Sequence, residues 1–540
     1  VDVLAVSELG DVPAGAVVTA DVCIVGTGPA GSTLARELAG SGLDVLLLES
    51  GGLRREAESD ALAEIVSTGR PRVTDPWAVH NRVLGGTSTT WSGRVAAFDE
   101  VDFRARPWVP HSGWPWARGE LEPYLERSRA HLGAPVADNT SAAVAERLER
   151  CFPGVDRRVL RPYGWTYSRD AVDPGDHMRF GRRALEGPDV GDLAGVRCLL
   201  HATVTHVDTE PGPGDRRVRG VEVRGSDGAV RRVQAATVVL CAGGIENARL
   251  LLASDRDVPG GLGNQHDLVG RFLMDHLRGP VARWSDRQAR VVQRWFGPVR
   301  LATADGPVQL TPGLVLTPQV QEDEGLVNAA LFLSAEIDER DPVRALRALS
   351  RRQDPLVNLL RILRRPGLVL ESLWRLAGRQ RGELRLLREV ELHVIAEQVP
   401  DPDSRITLSD RTDRHGVRLP EVHWRIGEQD ERTVHRAARA FVAEAARAGL
   451  PVPRLVGPVE DGGALDVLDV AHPTGSTRMA ATPTEGVVDG DGQVFGVGGL
   501  FVAGSSVFPT SGHANPTQTV VALAVRLADH LRARAGTAGR

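Results

Sequence analysis

The sequence predicts an α/β fold, α+β overall, entered through a Rossmann-type dinucleotide-binding unit. Three observations predict it. Residues 21–25 form a short apolar run that ends in Gly26-Thr27-Gly28-Pro29-Ala30-Gly31, and a helical pattern follows to Ala39. A second apolar run over 45–48 ends on Glu49. Further strand-like runs at 196–209, 218–224, 232–241 and 499–503 precede a closing helix over 517–534. At 540 residues and 42% apolar content, the chain can bury a large core. That length suits three or four domains of about 150 residues, which large α/β enzymes often fuse into two.

Each element has a physical reason. Gly26 permits the tight turn after the first strand, Gly28 lets a pyrophosphate approach the backbone, and Gly31 lets helix and strand pack closely. Pro29 and Ala30 open the helix, whose positive end faces the phosphate. Glu49 and Ser50 end the second strand. A carboxylate there accepts hydrogen bonds from ribose hydroxyls and repels a 2′-phosphate. This unit marks a dinucleotide site without choosing FAD over NAD; its alternative is a glycine-rich turn with no ligand.

Farther along, residues 71–116 are rich in Gly, Pro and Trp and read as loop. Residues 118–150 read as helix, and Pro-Gly-Pro-Gly at 211–214 marks a turn between strands. Residues 280–335 read as strands with turns, 340–388 as helix, 389–427 as strands and 428–448 as helix. No internal repeat is present.

Composition removes several reaction classes. All 65 basic residues are arginine, so Schiff-base chemistry on a lysine and an ordinary P-loop are excluded. A net charge of −5 gives no drive toward nucleic acid. No apolar run approaches the roughly 18 residues a membrane span needs. Residues 1–19 lack the basic start and apolar stretch of a secretory signal. Cys23, Cys151, Cys198 and Cys241 form no CxxC pair, and Cys23 and Cys241 lie in apolar runs, which fits a reducing cytoplasm.

The segment Asn81-Arg82-Val-Leu-Gly85-Gly86-Thr87-Ser88-Thr-Thr90-Trp91-Ser-Gly93-Arg94 decides the cofactor. Paired glycines and small hydroxyl residues suit backbone that passes close to a flat ring system. Here the chain resembles the glucose-methanol-choline (GMC) flavoprotein oxidoreductases. Ala202-Thr-Val204 resembles the family stretch whose backbone meets adenine. The segment from Thr237 through Ala242, Gly243 and Asn247 to Leu252 resembles the strand-to-helix segment near the flavin. Glu397-Gln398-x-Pro400 with Ser404-Arg405 resembles a substrate-domain strand, and 500–531 the closing flavin strand and helix. The resemblance covers nearly the whole chain. It implies a substrate domain in which an antiparallel sheet is flanked by helices. It also divides the chain into a discontinuous FAD domain (15–110, 190–275 and 465–540) and a substrate domain (111–189 and 276–464).

Two residues carry the chemistry that the resemblance implies. His472 lies in Asp469-Val-Ala-His472-Pro-Thr-Gly475, and Asn515 in Ser511-Gly-His513-Ala-Asn515-Pro516-Thr517. Hydride leaves an alcohol carbon only as the hydroxyl proton is taken, and neutral imidazole takes it near pH 7. A second polar side chain fixes the oxygen and aims the C–H at flavin N5. The His-Asn pair is similar to the pyranose-oxidase and choline-oxidase side of the family. His513 and Gln398 are candidates for the pocket wall. No metal site is expected.

Two departures bear on the flavin. Some sugar-oxidising members attach it covalently to a histidine where this chain has Thr90, which predicts non-covalent FAD. Many members carry Asp in the closing strand where this chain has Ala503-Gly504, so contacts there fall to backbone N–H groups, with Gly504, Ser505, Asn515, Pro516 and Thr517 in the site.

The expected reaction is FAD-dependent oxidation of a CH–OH group to an aldehyde or ketone. The expected substrate is a sugar, an amino sugar of the aminoglycoside kind or a glycosylated natural product. A polycationic substrate requires an acidic cleft. The electron acceptor is oxygen or another carrier. Rival readings are a hydroxynitrile-lyase-type enzyme on the same fold, an NADPH-dependent flavin monooxygenase or reductase, and a non-enzymatic flavin-fold protein binding a partner. The stretch 340–388 holds 13 Arg against 4 acidic residues and is expected as a solvated face paired to acidic groups, with a membrane-surface or partner helix as its alternative. The aromatic loop from Trp108 to Trp116 either lines a sugar pocket or packs against the flavin domain.

Overall fold

A computed structural model describes the chain apart from residues 1–4, 74, 135–141, 171–175, 182–192, 213–214, 304–305, 351, 353, 378–383, 466–468 and 539–540. The elements that position the site are, in chain order, β1 (Val17–Val25), α1 (Pro29–Leu38), β2 (Val45–Leu48), β3 (Leu160–Tyr167), β4 (Val196–Leu200), β5 (Val230–Leu240) and α2 (Gly243–Ala253). They continue with β6 (Leu277–Arg283), β7 (Gly306–Leu316), β8 (Ala329–Ile337), α3 (Pro355–Arg364), β9 (Leu387–Ala396), β10 (Leu500–Val502) and α4 (Thr517–Ala538).

The first sheet has a parallel core in the order β4-β2-β1-β5-β10. Val22 to Val25 are buried without alternation, as parallel strands covered on both faces require. Strand order reverses between β1 and β5, which opens a crevice at their carboxyl ends. Helix α4 packs on α1 and on the helix Arg118–Leu132.

The second sheet is antiparallel throughout. Its order is Arg454–Leu455, β6, β9, β8, β7, β3, Arg94–Val95. Strand β3 lies within the segment that carried no strand expectation. Pro162 and Gly164 interrupt its side-chain alternation, so no period of two marks it. A separate core cluster backs this sheet, built from Leu314, Leu331, Val394, Phe441 and their neighbours.

The helical reading of 118–150 resolves into Arg118–Leu132 and Ala142–Glu149, the first ended by Gly133 in the left-handed conformation. Residues 213–214 of the expected turn lie outside the described residues. Trp114 is buried against Phe98, Phe103 and Phe508, so the aromatic loop packs rather than lining a pocket.

The basic stretch departs from a plain solvated face. It forms Pro342–Ser350, α3 and Pro366–Ala377. Helix α3 buries Asn358 and exposes leucines, with Leu356 77% and Leu363 63% exposed, beside Trp374 at 77%. Among the described residues no helix is long and apolar enough to cross a membrane. All four cysteines are buried and unpaired, and burial pushes the Cys23 thiol up to about 12.

Candidate active site

A cavity of about 470 Å³ opens where β1, β2 and β5 end. Gly26, Gly28, Pro29, Ala30, Glu49 and Ser50 line one end of it. Gly26 has φ +102, and a Cβ there would lie 2.7 Å from the Cys241 carbonyl oxygen. Gly31 does not face the cavity. A Cβ on it would sit 1.9 Å from the Gly26 carbonyl oxygen, so its part is the close helix–strand approach. The Glu49 carboxylate is buried. It accepts the Thr27 N–H at 3.2 Å, the Thr27 hydroxyl, and the Gly51 N–H at 3.0 Å. Burial raises its pKa.

Gly86, Thr87, Ser88, Thr90 and Trp91 line the middle of the cavity with Val204, Ala242 and Gly243. A Cβ on Gly86 would stand 3.1 Å from the Gly28 Cα, so two side-chain-free stretches meet. Gly85 and Asn247 stand one layer back. The Gly85 N–H donates to Thr27 Oγ1 at 3.0 Å, and Asn247 Oδ1 accepts the Ala242 N–H at 2.8 Å. Arg82 donates to Ser50 Oγ at 3.0 Å and to Glu246 at 2.8 Å, and Arg249 joins Glu246 to Asp413. These arginines hold the Glu246 carboxyl down to about 2 against its burial.

Gly504, Ser505, Asn515, Pro516 and Thr517 line the cavity with His472. A wall of glycine backbone, a helix amino end, a buried carboxylate and an Asn515 Oδ1 buried without a partner among the described residues fit a flavin dinucleotide.

The surroundings of His472 define its protonation. Asp275 accepts the His472 backbone N–H with both oxygens at 3.1 Å, and the Val470 backbone N–H at 3.2 Å. Arg72 bridges Asp275 at 2.8 Å and Asp469 at 3.2 Å. Ala471 has φ +58, a left-handed strain that turns the chain just before His472. His472 Nδ1 lies 2.8 Å from His276 Nδ1, and His276 Nε2 lies 3.2 Å from the Ser511 carbonyl oxygen. A carbonyl only accepts, so His276 carries its proton on Nε2 and its Nδ1 accepts. His472 therefore carries its proton on Nδ1, and Nε2 keeps the lone pair. Burial first, then His276, Arg278 and Arg94, pull the His472 pKa down to about 3. Burial thus favours the neutral imidazole.

Two expectations are corrected. His513 does not line the cavity; its ring is buried 4.7 Å from the Tyr163 ring of β3, the strand the sequence did not reveal. Gln398 is also buried behind the cavity, where its Oε1 accepts the Asp275 N–H at 3.0 Å and the Trp424 indole N–H at 2.9 Å. Asp99, Asp102 and His513 bring ligand atoms within 4.8 Å of one another, but Arg161 and Asn328 already engage the two carboxylates. Arg72, Arg94, Asp275, His276 and Arg278 were not foreseen. The Asp275-His276 doublet was the only local signal, since arginines do not stand out in a chain with 65 of them.

Residues 400–524 match the family described as GMC oxidoreductase, and residues 21–259 match FAD dependent oxidoreductase. The fructose dehydrogenase large subunit of Gluconobacter japonicus is 25% identical over 95% of this chain and 97% of its own. The 6'''-hydroxyparomomycin C oxidase of Streptomyces lividus is 25% identical over 95% and 92%. The crystal structure of pyridoxine 4-oxidase from Mesorbium loti shares the fold at TM-score 0.56 and 18% identity, covering 94% of this chain and 98% of that one.

Proposed function

The chain belongs to the GMC oxidoreductase family, and from that premise we propose that His472 and Asn515 carry FAD-dependent oxidation of a CH–OH group on a sugar or sugar-like polyol. Bound FAD supplies the hydride acceptor. Residues Gly26 to Ala30, Glu49, Ser50, Gly86, Thr87, Ser88, Thr90, Trp91, Val204, Gly504, Ser505, Asn515, Pro516 and Thr517 would hold it, and Thr90 in place of histidine leaves it non-covalent. His472 Nε2 takes the hydroxyl proton as the C–H bond breaks. Asn515 offers an amide to the substrate oxygen without competing for the proton. Gly85, Gly31, Asn247 and Asp275 fix the walls and the base from behind.

The observation that supports this reading most is the chain from Ser511 through His276 to His472, because it leaves one nitrogen of a neutral imidazole free beside the cavity. The relatives named for fructose and for hydroxyparomomycin set the range of sugars worth testing, amino sugars included. We place the chain in the cytoplasm on its four buried, unpaired thiols.

An anaerobic screen of sugars, aminoglycosides and simple alcohols for flavin bleaching, followed by admission of air, tests the reading. Bleaching by an alcohol and its loss in His472→Ala support it. Recovery in air assigns oxygen as acceptor, and its absence assigns another carrier. A flavin that no alcohol bleaches would sink the oxidation reading and revive the redox-idle lyase; bleaching by NADPH alone would revive the monooxygenase.

A further inference from the structure

The cavity has an unmatched charge at its catalytic end. Arg94 and Arg278 line it together with His472 and Ile395. Arg94 sits on the short edge strand Arg94–Val95, and Arg278 on β6 toward the other side of the same antiparallel sheet. Phe332 of β8 lies between them, 4.7 Å from the Arg94 guanidinium carbon and 5.5 Å from that of Arg278. The two cations therefore stand within about 10 Å of each other over one aromatic ring.

Every other cation lining the cavity has a partner. Arg72 meets Asp275 and Asp469, Arg82 meets Glu246, and Arg249 meets Glu246 and Asp413. Among the described residues, Arg94 and Arg278 make no ion pair and donate no side-chain hydrogen bond. Nor is a carboxylate left over in the lining to serve them. Glu246 and Asp413 are taken by arginines, and Glu49 by Thr27 and Gly51. Two half-buried like charges without counter-charge are unfavourable by themselves, and a planar guanidinium pair matches an oxyanion.

We propose that the substrate alcohol carries an oxyanion, a carboxylate or a phosphate, which Arg94 and Arg278 hold beside His472. The proposal rests on the alcohol-oxidation reading above. Both arginines stand on the antiparallel sheet, whereas the glycine loop and the amino end of α1 that suit the cofactor phosphates belong to the parallel sheet. The class of substrate is a sugar acid, a sugar phosphate or another hydroxy acid. A polycationic sugar would meet two arginines where it needs carboxylates.

The arrangement also couples binding to basicity. Burial and the neighbouring Arg94 lower the Arg278 pKa, and both arginines disfavour the His472 imidazolium. A bound oxyanion cancels that field and makes His472 a better base only when the substrate is in place.

The holoenzyme is tested anaerobically with glucose, glucosamine, glucuronate and glucose 6-phosphate, each scored by flavin bleaching. The acid or the phosphate should show a KM on the order of ten- to a hundredfold below glucose, and which of the two wins names the oxyanion. Arg94→Gln and Arg278→Gln should bring that ratio toward one, and Arg278→Lys should retain part of it. Glucosamine at least as good as glucuronate, or a ratio that both Gln variants leave intact, would overturn the proposal. Malonate supplies a readout without turnover. Its saturable perturbation of the flavin spectrum should weaken on the order of tenfold in either Gln variant. If no alcohol bleaches the wild type, the oxidation reading has failed, and malonate still decides the anion site: equal binding by wild type and variants rejects it.

Discussion

The Nδ1 atoms of His276 and His472 lie 2.8 Å apart, and the Ser511 carbonyl decides which of them carries the proton. A free imidazole has no such instruction. Here the proton of His472 is committed to Nδ1, away from the cavity, before substrate arrives. His276 is thus a positioning residue. His276→Phe should lower kcat/KM roughly ten- to a hundredfold at unchanged flavin content. Nitrogen NMR of the wild type should show His472 as the Nδ1–H tautomer, and an Nε2–H signal would refute the assignment.

Removal of the base itself should be more severe. His472→Ala should slow flavin reduction by about 10²–10⁴-fold, the range for a lost general base. Asn515→Ala should lose less in kcat and raise KM, because its amide orients rather than accepts the proton. Rapid-reaction bleaching rates separate the two.

The pH profile follows from the sign of the His472 shift. A lowered pKa keeps the imidazole neutral down to about 3. With a neutral sugar, kcat/KM should therefore stay level through the ~6.5 at which free histidine titrates. Arg278→Gln removes a positive neighbour, so imidazolium becomes less unfavourable and any acid limb should move upward. A limb near 6.5 in the wild type would contradict the burial argument.

Gly31→Ala is a packing test. Its Cβ would lie 1.9 Å from the Gly26 carbonyl oxygen, which nothing flexible can relieve. Overpacking of this kind costs about 1–3 kcal/mol. A lowered Tm with reduced flavin content is expected, read by thermal melt and by the ratio of flavin to protein absorbance.

Thr90 gives a yes-or-no outcome. Its hydroxyl donates to the Thr87 carbonyl at 3.3 Å and accepts from Asn81 at 2.9 Å. Acid precipitation should leave all flavin in the supernatant, and a yellow pellet would show a covalent link elsewhere.

What was legible in the sequence was what the backbone writes locally. Gly26, Gly31 and Gly86 stand where backbone passes close to backbone, and His472 and Asn515 sit inside motifs that resemble a family pattern. Arg94 and Arg278 were silent because their meaning comes from distant strands of one sheet, and His276 because its partners, His472 and Ser511, lie 196 and 235 residues away in sequence. His513 misled for the same reason: two residues from Asn515, it turns instead toward Tyr163 and Trp165 on a strand broken by Pro162 and Gly164. Gln398 lay in a recognised motif, but it serves Asp275 and Trp424 from behind the wall.

Helix α3 has a consequence for handling. It turns Asn358 inward and its leucines into water, so part of the surface resists wetting. Each square ångström of such surface withdrawn from water returns about 25 cal/mol. The purified chain should be retained on a hydrophobic-interaction column at moderate ammonium sulfate. A surface dye such as ANS should light up on the native protein, and replacing Leu356 and Leu363 with serine should dim it while the melt holds.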